Sequence, residues 1–76
     1  MAKKNIHTVY NSDRHMWENK KEKSFTPVSS HHTKNNALDR AEKIAEQAKV
    51  EHFIHGKDGK IQERNRYGIA PFRPRG

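Results

Sequence analysis

The sequence predicts an α+β fold: an antiparallel sheet of two hairpins, in the order β-β-α-β-β, with one amphipathic helix packed across a face. Three observations predict it. Residues 33–49 carry apolar side chains at three- and four-residue spacing, the period of a helix. Ahead of them, two β-rich runs flank the polar turn cluster Asn11-Ser12-Asp13-Arg14. Behind them, Gly56-Lys57-Asp58-Gly59 separates two further β-rich runs.

Ile6-His7-Thr8-Val9-Tyr10 reads as the first strand and Met16-Trp17-Glu18-Asn19-Lys20 as its partner, a hairpin from about 5–10 to 16–22. Trp17, the only tryptophan, is assigned to the core, where a side chain of its size contributes a few kcal/mol. Ser24-Phe25-Thr26-Pro27-Val28-Ser29 is expected as a third short strand or an irregular edge. Pro27 has no N–H to give to a ladder, which keeps the segment out of a sheet centre. Ser29-Ser30-His31-His32 is a polar lead into the helix.

Thr33 is expected as the N-cap, its hydroxyl accepting from the N–H of Asn35 or Asn36, with the helix starting at Lys34. Asn36 stands where Glu or Gln would complete a capping box. Ala37, Leu38, Ala41, Ile44, Ala45 and Ala48 form the buried stripe. The opposite side carries Lys34, Asp39, Arg40, Glu42, Lys43 and Glu46. The helix is expected to end near Lys49, where a cation suits the C-terminal dipole. Val50–His55 and Lys60–Arg64 are the second hairpin. The chain is divided into a flexible basic N-terminus at 1–4, a single α+β domain at 5–66 and an extended basic tail at 67–76, where Gly68, Pro71, Pro74 and Gly76 interrupt regular structure.

Seventy-six residues, 30% hydrophobic and 33% charged, make a thin core that dimerisation would enlarge. The absence of cysteine excludes disulfides, thiolate metal sites and cysteine nucleophiles. With no long apolar run, a cytoplasmic location away from membranes is expected. Of the six histidines, His52 and His55 are three apart on a strand and so point to opposite faces. His55 is expected to hydrogen-bond locally beside the turn, and His7 comes near it if the two hairpins are adjacent. No pair has the helical spacing of a zinc site, so neither a metal nor a cofactor is expected. Ser29 and Ser30 lack any spacing that selects a nucleophile.

The formal charge is +7, and it gathers at the ends: Lys3 and Lys4 at one, Arg64, Arg66, Arg73 and Arg75 at the other with no acid among them. Tyr67 and Phe72 interleave with those arginines. Guanidinium groups pair with phosphates and rings stack on unpaired bases. Lys3, Lys4, Arg64, Arg66, Tyr67, Phe72, Arg73 and Arg75 are therefore the candidate nucleic-acid-binding residues. The competing reading is solubility, with Tyr67 and Phe72 pinning the tail onto the sheet.

Several runs carry a resemblance: Ile6-His7-Thr8-Val9, Trp17 with Lys20, Ser29-Ser30 before Thr33, Ala37-Leu38-Asp39-Arg40-Ala41, His55-Gly56-Lys57-Asp58-Gly59-Lys60-Ile61, and Tyr67-Gly68 with Pro71. Together they resemble a small bacterial family catalogued as a domain of unknown function. Its signatures read I-H-V-V, W-x-V-K, I-H-G-x-D-G-K-I and a closing Y-G-x-x-P. The chain departs at Asn19, where the family has an apolar residue, at Asn36, where it has an acidic one, and in its more basic tail. The resemblance implies a compact β-β-α-β-β protein of bacterial or phage origin and brings no activity with it. The expected function is a non-enzymatic binding module for nucleic acid or another anionic surface. The alternative is a protein–protein interaction module, as a homodimer that pairs strand edges near Phe25–Val28. No small-molecule substrate is expected.

Overall fold

The computed structural model describes residues 4–67. Its elements are β1 (Ile6–Asn11), β2 (Met16–Lys21), β3 (Ser29–His31), α1 (Lys34–Ala48), β4 (Glu51–His55) and β5 (Ile61–Arg66). They form one five-stranded sheet in the order β3-β2-β1-β4-β5, with α1 packed against β1 to β4. Among the described residues no helix is long and apolar enough to cross a membrane.

The α+β class and the two hairpins hold, but the sheet is mixed rather than antiparallel. β1 and β4 run parallel, pairing Ile6 with His52, His7 with Phe53 and Thr8 with Ile54. The cause is β3. It pairs antiparallel with β2 and so runs in the sense of β1. The helix then carries the chain back, and β4 enters beside β1 in the same sense, since parallel strands need a crossover and α1 supplies one. β3 is also displaced from the expected Ser24–Ser29. The strand begins after Pro27, at the polar residues, where Ser29 faces Asn19 and Val28 N–H donates to the Asn19 carbonyl at 2.7 Å.

Local chemistry explains the element ends. Asn11 Oδ1 accepts from the N–H groups of Asp13 and Arg14 at 3.0 and 3.3 Å, closing the first turn as a side-chain mimic of a backbone turn. Thr33 caps α1, its Oγ1 accepting from Asn36 N–H at 3.2 Å. Lys49 ends the helix in the left-handed conformation (φ 58°), its N–H returning to the Ala45 carbonyl. In the second hairpin Gly59 alone has positive φ, at 86°, with its N–H donating to the Gly56 carbonyl at 3.0 Å. Asp58 stays out of the left-handed region, and its carboxylate accepts from Lys60 N–H. The turn is thus wider than the two-residue loop that Asp-Gly favours, and the ladder shifts register at Ile54/His55.

The core is a thin layer. Ala37, Ala41 and Ala45 are fully buried, one helical turn apart, so the backbone of α1 approaches the sheet closely. Ile6, Ala41, Ala45 and Val50 form the central cluster, with Ile44, Ala48 and Tyr67 against it. Trp17 is buried beneath the start of α1, where Lys34 Nζ sits 5.2 Å from its ring.

Candidate functional site

Strand residues alternate between faces. Ile6, Thr8, His52 and Ile54 point at α1 and are buried. Their neighbours His7, Phe53 and His55 point the other way, to a face that carries no helix among the described residues. There the register places Lys20, His7, Phe53 and Arg64 side by side across β2, β1, β4 and β5. The His7 ring stacks on Phe53 with centroids 4.8 Å apart and planes 16° off parallel. The Arg64 guanidinium lies 6.0 Å from the same ring. Arg64 and Arg66 share Glu51, at 3.9 and 3.1 Å, and leave 58% of each side chain exposed. Lys20 Nζ lies 3.7 Å from Glu18, whose buried carboxylate also accepts from Asn11.

Beside this row lies a shallow cleft of about 500 Å³, lined by His7, Lys20, Lys21, Glu22, Lys23 and His55 among others. His7 Nδ1 is 2.9 Å from His55 Nε2, and His7 Nε2 is 3.1 Å from Glu22 Oε2. His55 Nδ1 donates to the Gly59 carbonyl at 3.1 Å, the local bond expected of it. Asn5 Nδ2 donates to the same Glu22 oxygen at 3.2 Å. The hydrogen bond from His7 holds the Glu22 carboxyl below its ordinary value, against a smaller opposing effect of burial.

Behind His7, on the helix side, a buried polar network fixes the strands. Thr8 Oγ1 donates to Asn19 Oδ1 at 2.6 Å and lies 2.6 Å from His52 Nε2. Asn19 Nδ2 donates to Ser29 Oγ and to the Ala37 carbonyl. With Thr8 donating to Asn19, His52 Nε2–H donates to Thr8, and the bare His52 Nδ1 is left unpaired. Burial pushes the His52 pKa down, keeping the ring neutral.

Of the residues singled out from sequence, Arg64 and Arg66 lie on the helix-free face, and Lys4 is exposed just ahead of β1. Tyr67 lies elsewhere. It packs against the core, and its hydroxyl donates to Glu42 at 3.4 Å. Burial, with Glu42 beside it, raises its pKa. Lys3, Phe72, Arg73 and Arg75 lie outside the described residues. Sequence reading passed over Phe53, Lys20 and Glu22 as parts of a site. The signal was the alternation His52-Phe53-Ile54-His55, which marks a two-faced strand but names no neighbour. No group of three or more side chains suited to a metal ion occurs among the described residues.

A family model described as "Uncharacterized protein conserved in bacteria (DUF2188)" matches residues 6–67, from the first residue of β1 to Tyr67. The chain belongs to this family. No curated protein matches it. No solved structure does either.

Proposed function

We propose that this member of a conserved bacterial family is a non-enzymatic binding module that takes single-stranded nucleic acid on the helix-free face of its sheet. One observation carries the reading: cations from β2 and β5 flank a stacked His7–Phe53 pair in a single cross-strand row. Aromatic rings give unpaired bases a stacking platform, and flanking cations meet the phosphates. The arginine excess beyond β5 extends the same charge along the chain.

The experiment is fluorescence anisotropy of labelled single-stranded DNA, RNA and duplex DNA. With four phosphate contacts on a single strand, affinity falls with a log–log salt slope of about −3. That is about 60-fold between roughly 50 and 200 mM salt. Arg64→Ala reduces the slope by about 0.7. Phe53→Ala weakens single-strand binding by about 1–3 kcal/mol and leaves duplex binding less affected. Absence of binding at the lower salt removes this reading.

Phe25, 95% exposed between β2 and β3, favours a second reading, a protein–protein interaction module. There Phe25→Ser abolishes a dimer seen by light scattering at high concentration. A wild-type chain that stays monomeric counts against self-association.

A further inference from the structure

We infer that the His7–His55 pair holds one proton more than two neutral imidazoles carry, and that this charge tunes the affinity of the cleft for the phosphodiester groups of a single strand. The second half rests on the nucleic-acid reading above, whereas the first stands without it.

The proton count follows from geometry. Four groups stand in series: the Gly59 carbonyl, His55, His7 and the Glu22 carboxylate. Three contacts of 3.1, 2.9 and 3.1 Å join them. Each hydrogen bond needs one proton, and neither end of the series has one to give. Two neutral imidazoles supply two N–H groups, so one contact would set lone pair against lone pair. A third proton resolves this. His55 donates from Nδ1 to Gly59 and accepts at Nε2. His7, as an imidazolium, donates from Nδ1 to His55 and from Nε2 to Glu22. The Phe53 ring against His7 is a favourable neighbour for that cation.

The surrounding charges set what the proton does. From β2 and the turn after it, Lys20, Lys21, Glu22 and Lys23 line the cleft. Arg64 stands across Phe53 from β5, and Glu51 of β4 is shared by Arg64 and Arg66. Asp58 and Lys60 flank Gly59 in the turn beside His55, and His52 lies behind the sheet. Lys20 is partly neutralised by Glu18. Once the third proton leaves, the His7 Nε2 lone pair faces the Glu22 carboxylate and that contact opens. Glu22 keeps Asn5 as a partner, and its side chain, 36% exposed, stays at the cleft as an unneutralised negative charge. The cleft, still lined by Lys20, Lys21 and Lys23, then attracts a phosphodiester less strongly than when the series is closed.

The test begins with ring-nitrogen NMR of the free full-length protein, which needs no ligand. At neutral pH the four ring nitrogens carry three protons between them, one of them on His55 Nδ1, and at an alkaline reference pH they carry two. Two protons or four on those nitrogens at neutral pH, or an Nε2–H His55, overturns the inference. Glu22→Gln is the informative variant, because Glu22 sits at the exposed end of the series and its amide N–H supplies the third proton without charge. Both rings are then neutral with the series closed, while Asn5 Nδ2, which donates to the same Glu22 oxygen, loses that acceptor. Anisotropy with a labelled single-stranded oligonucleotide at fixed salt reads the second half. One unit charge about 6 Å from a phosphate, in water-like surroundings, corresponds to about a threefold change in affinity. Wild type weakens by about that factor more than Glu22→Gln on going to the higher pH. Equal pH responses in the two proteins overturn the regulatory half. Absence of binding at both pH values sinks the nucleic-acid reading and the regulatory half together, while the spectra of the free protein still decide the proton count.

Discussion

Thr8 joins three elements through one hydroxyl, linking Asn19 of β2 to His52 of β4. Thr8→Val keeps the shape and removes that bridge. It leaves Asn19 Oδ1 and His52 Nε2 buried without Thr8, a loss of about 1–3 kcal/mol that urea denaturation would register. His52 makes stability depend on pH. Its folded pKa lies below the ordinary 6.5, so below that pH the unfolded chain binds a proton that the folded chain refuses. The contribution is complete above 6.5 and is lost as pH falls toward the folded value. The stability gap between wild type and His52→Gln should therefore narrow as pH drops below 6.5. Glu22 adds the same sign at lower pH: its contribution is present above 4.5 and lost as pH falls through its depressed value. The polar network was hidden in the sequence. Asn19 reads there as a departure from an apolar family position. Only strand pairing shows that it bonds Ser29 and the Ala37 carbonyl.

Among the elements, α1 was the most legible. Its stripe, its Thr33 cap and its end at Lys49 follow from spacing and from short-range hydrogen bonds. Lys49 holds a left-handed backbone that costs a non-glycine residue about 1–2 kcal/mol. Lys49→Gly should stabilise the protein by about 0.5 kcal/mol, since the greater freedom of glycine in the unfolded chain offsets part of the gain. A rise in Tm would show it, and a fall would mean that the lysine side chain contributes at this position. Phe25 makes the opposite case. Residues 24–29 read as a third short strand or an irregular edge, yet Phe25 is 95% exposed outside any strand and Ser29–His31 forms the ladder instead. Phe25→Ser should change stability by less than about 0.5 kcal/mol. Trp17→Ala, at a buried site, should cost about 3–5 kcal/mol. The third strand was placed a few residues early because the polar residues of β3 bond through side chains as well as backbone, and such bonds leave no hydrophobic period to read.

At the scale of the whole molecule, the sequence supplied both hairpins but not the line along which they meet. Each hairpin is set by its own turn, whereas the β1–β4 pairing depends on the direction in which β3 and α1 deliver the chain. The helix-free face was legible only in part for the same reason: His7 was expected near His55 if the hairpins are adjacent, as they are, but 48 positions separate the two and no local pattern joins them. That seam also orders events in time. Hairpins close within microseconds, but a contact between distant parts of the chain waits on loop-closure entropy. The Thr8–His52 bond, the His7–Phe53 stack and the His7–His55 contact all cross the same seam. Each hairpin carries only part of the described site, His7 with Lys20 on one side of the seam and Phe53 with Arg64 on the other. Competence should arrive in one step, with the slowest phase of refolding, and a nascent chain still short of β4 would display neither the ring stack nor the histidine pair.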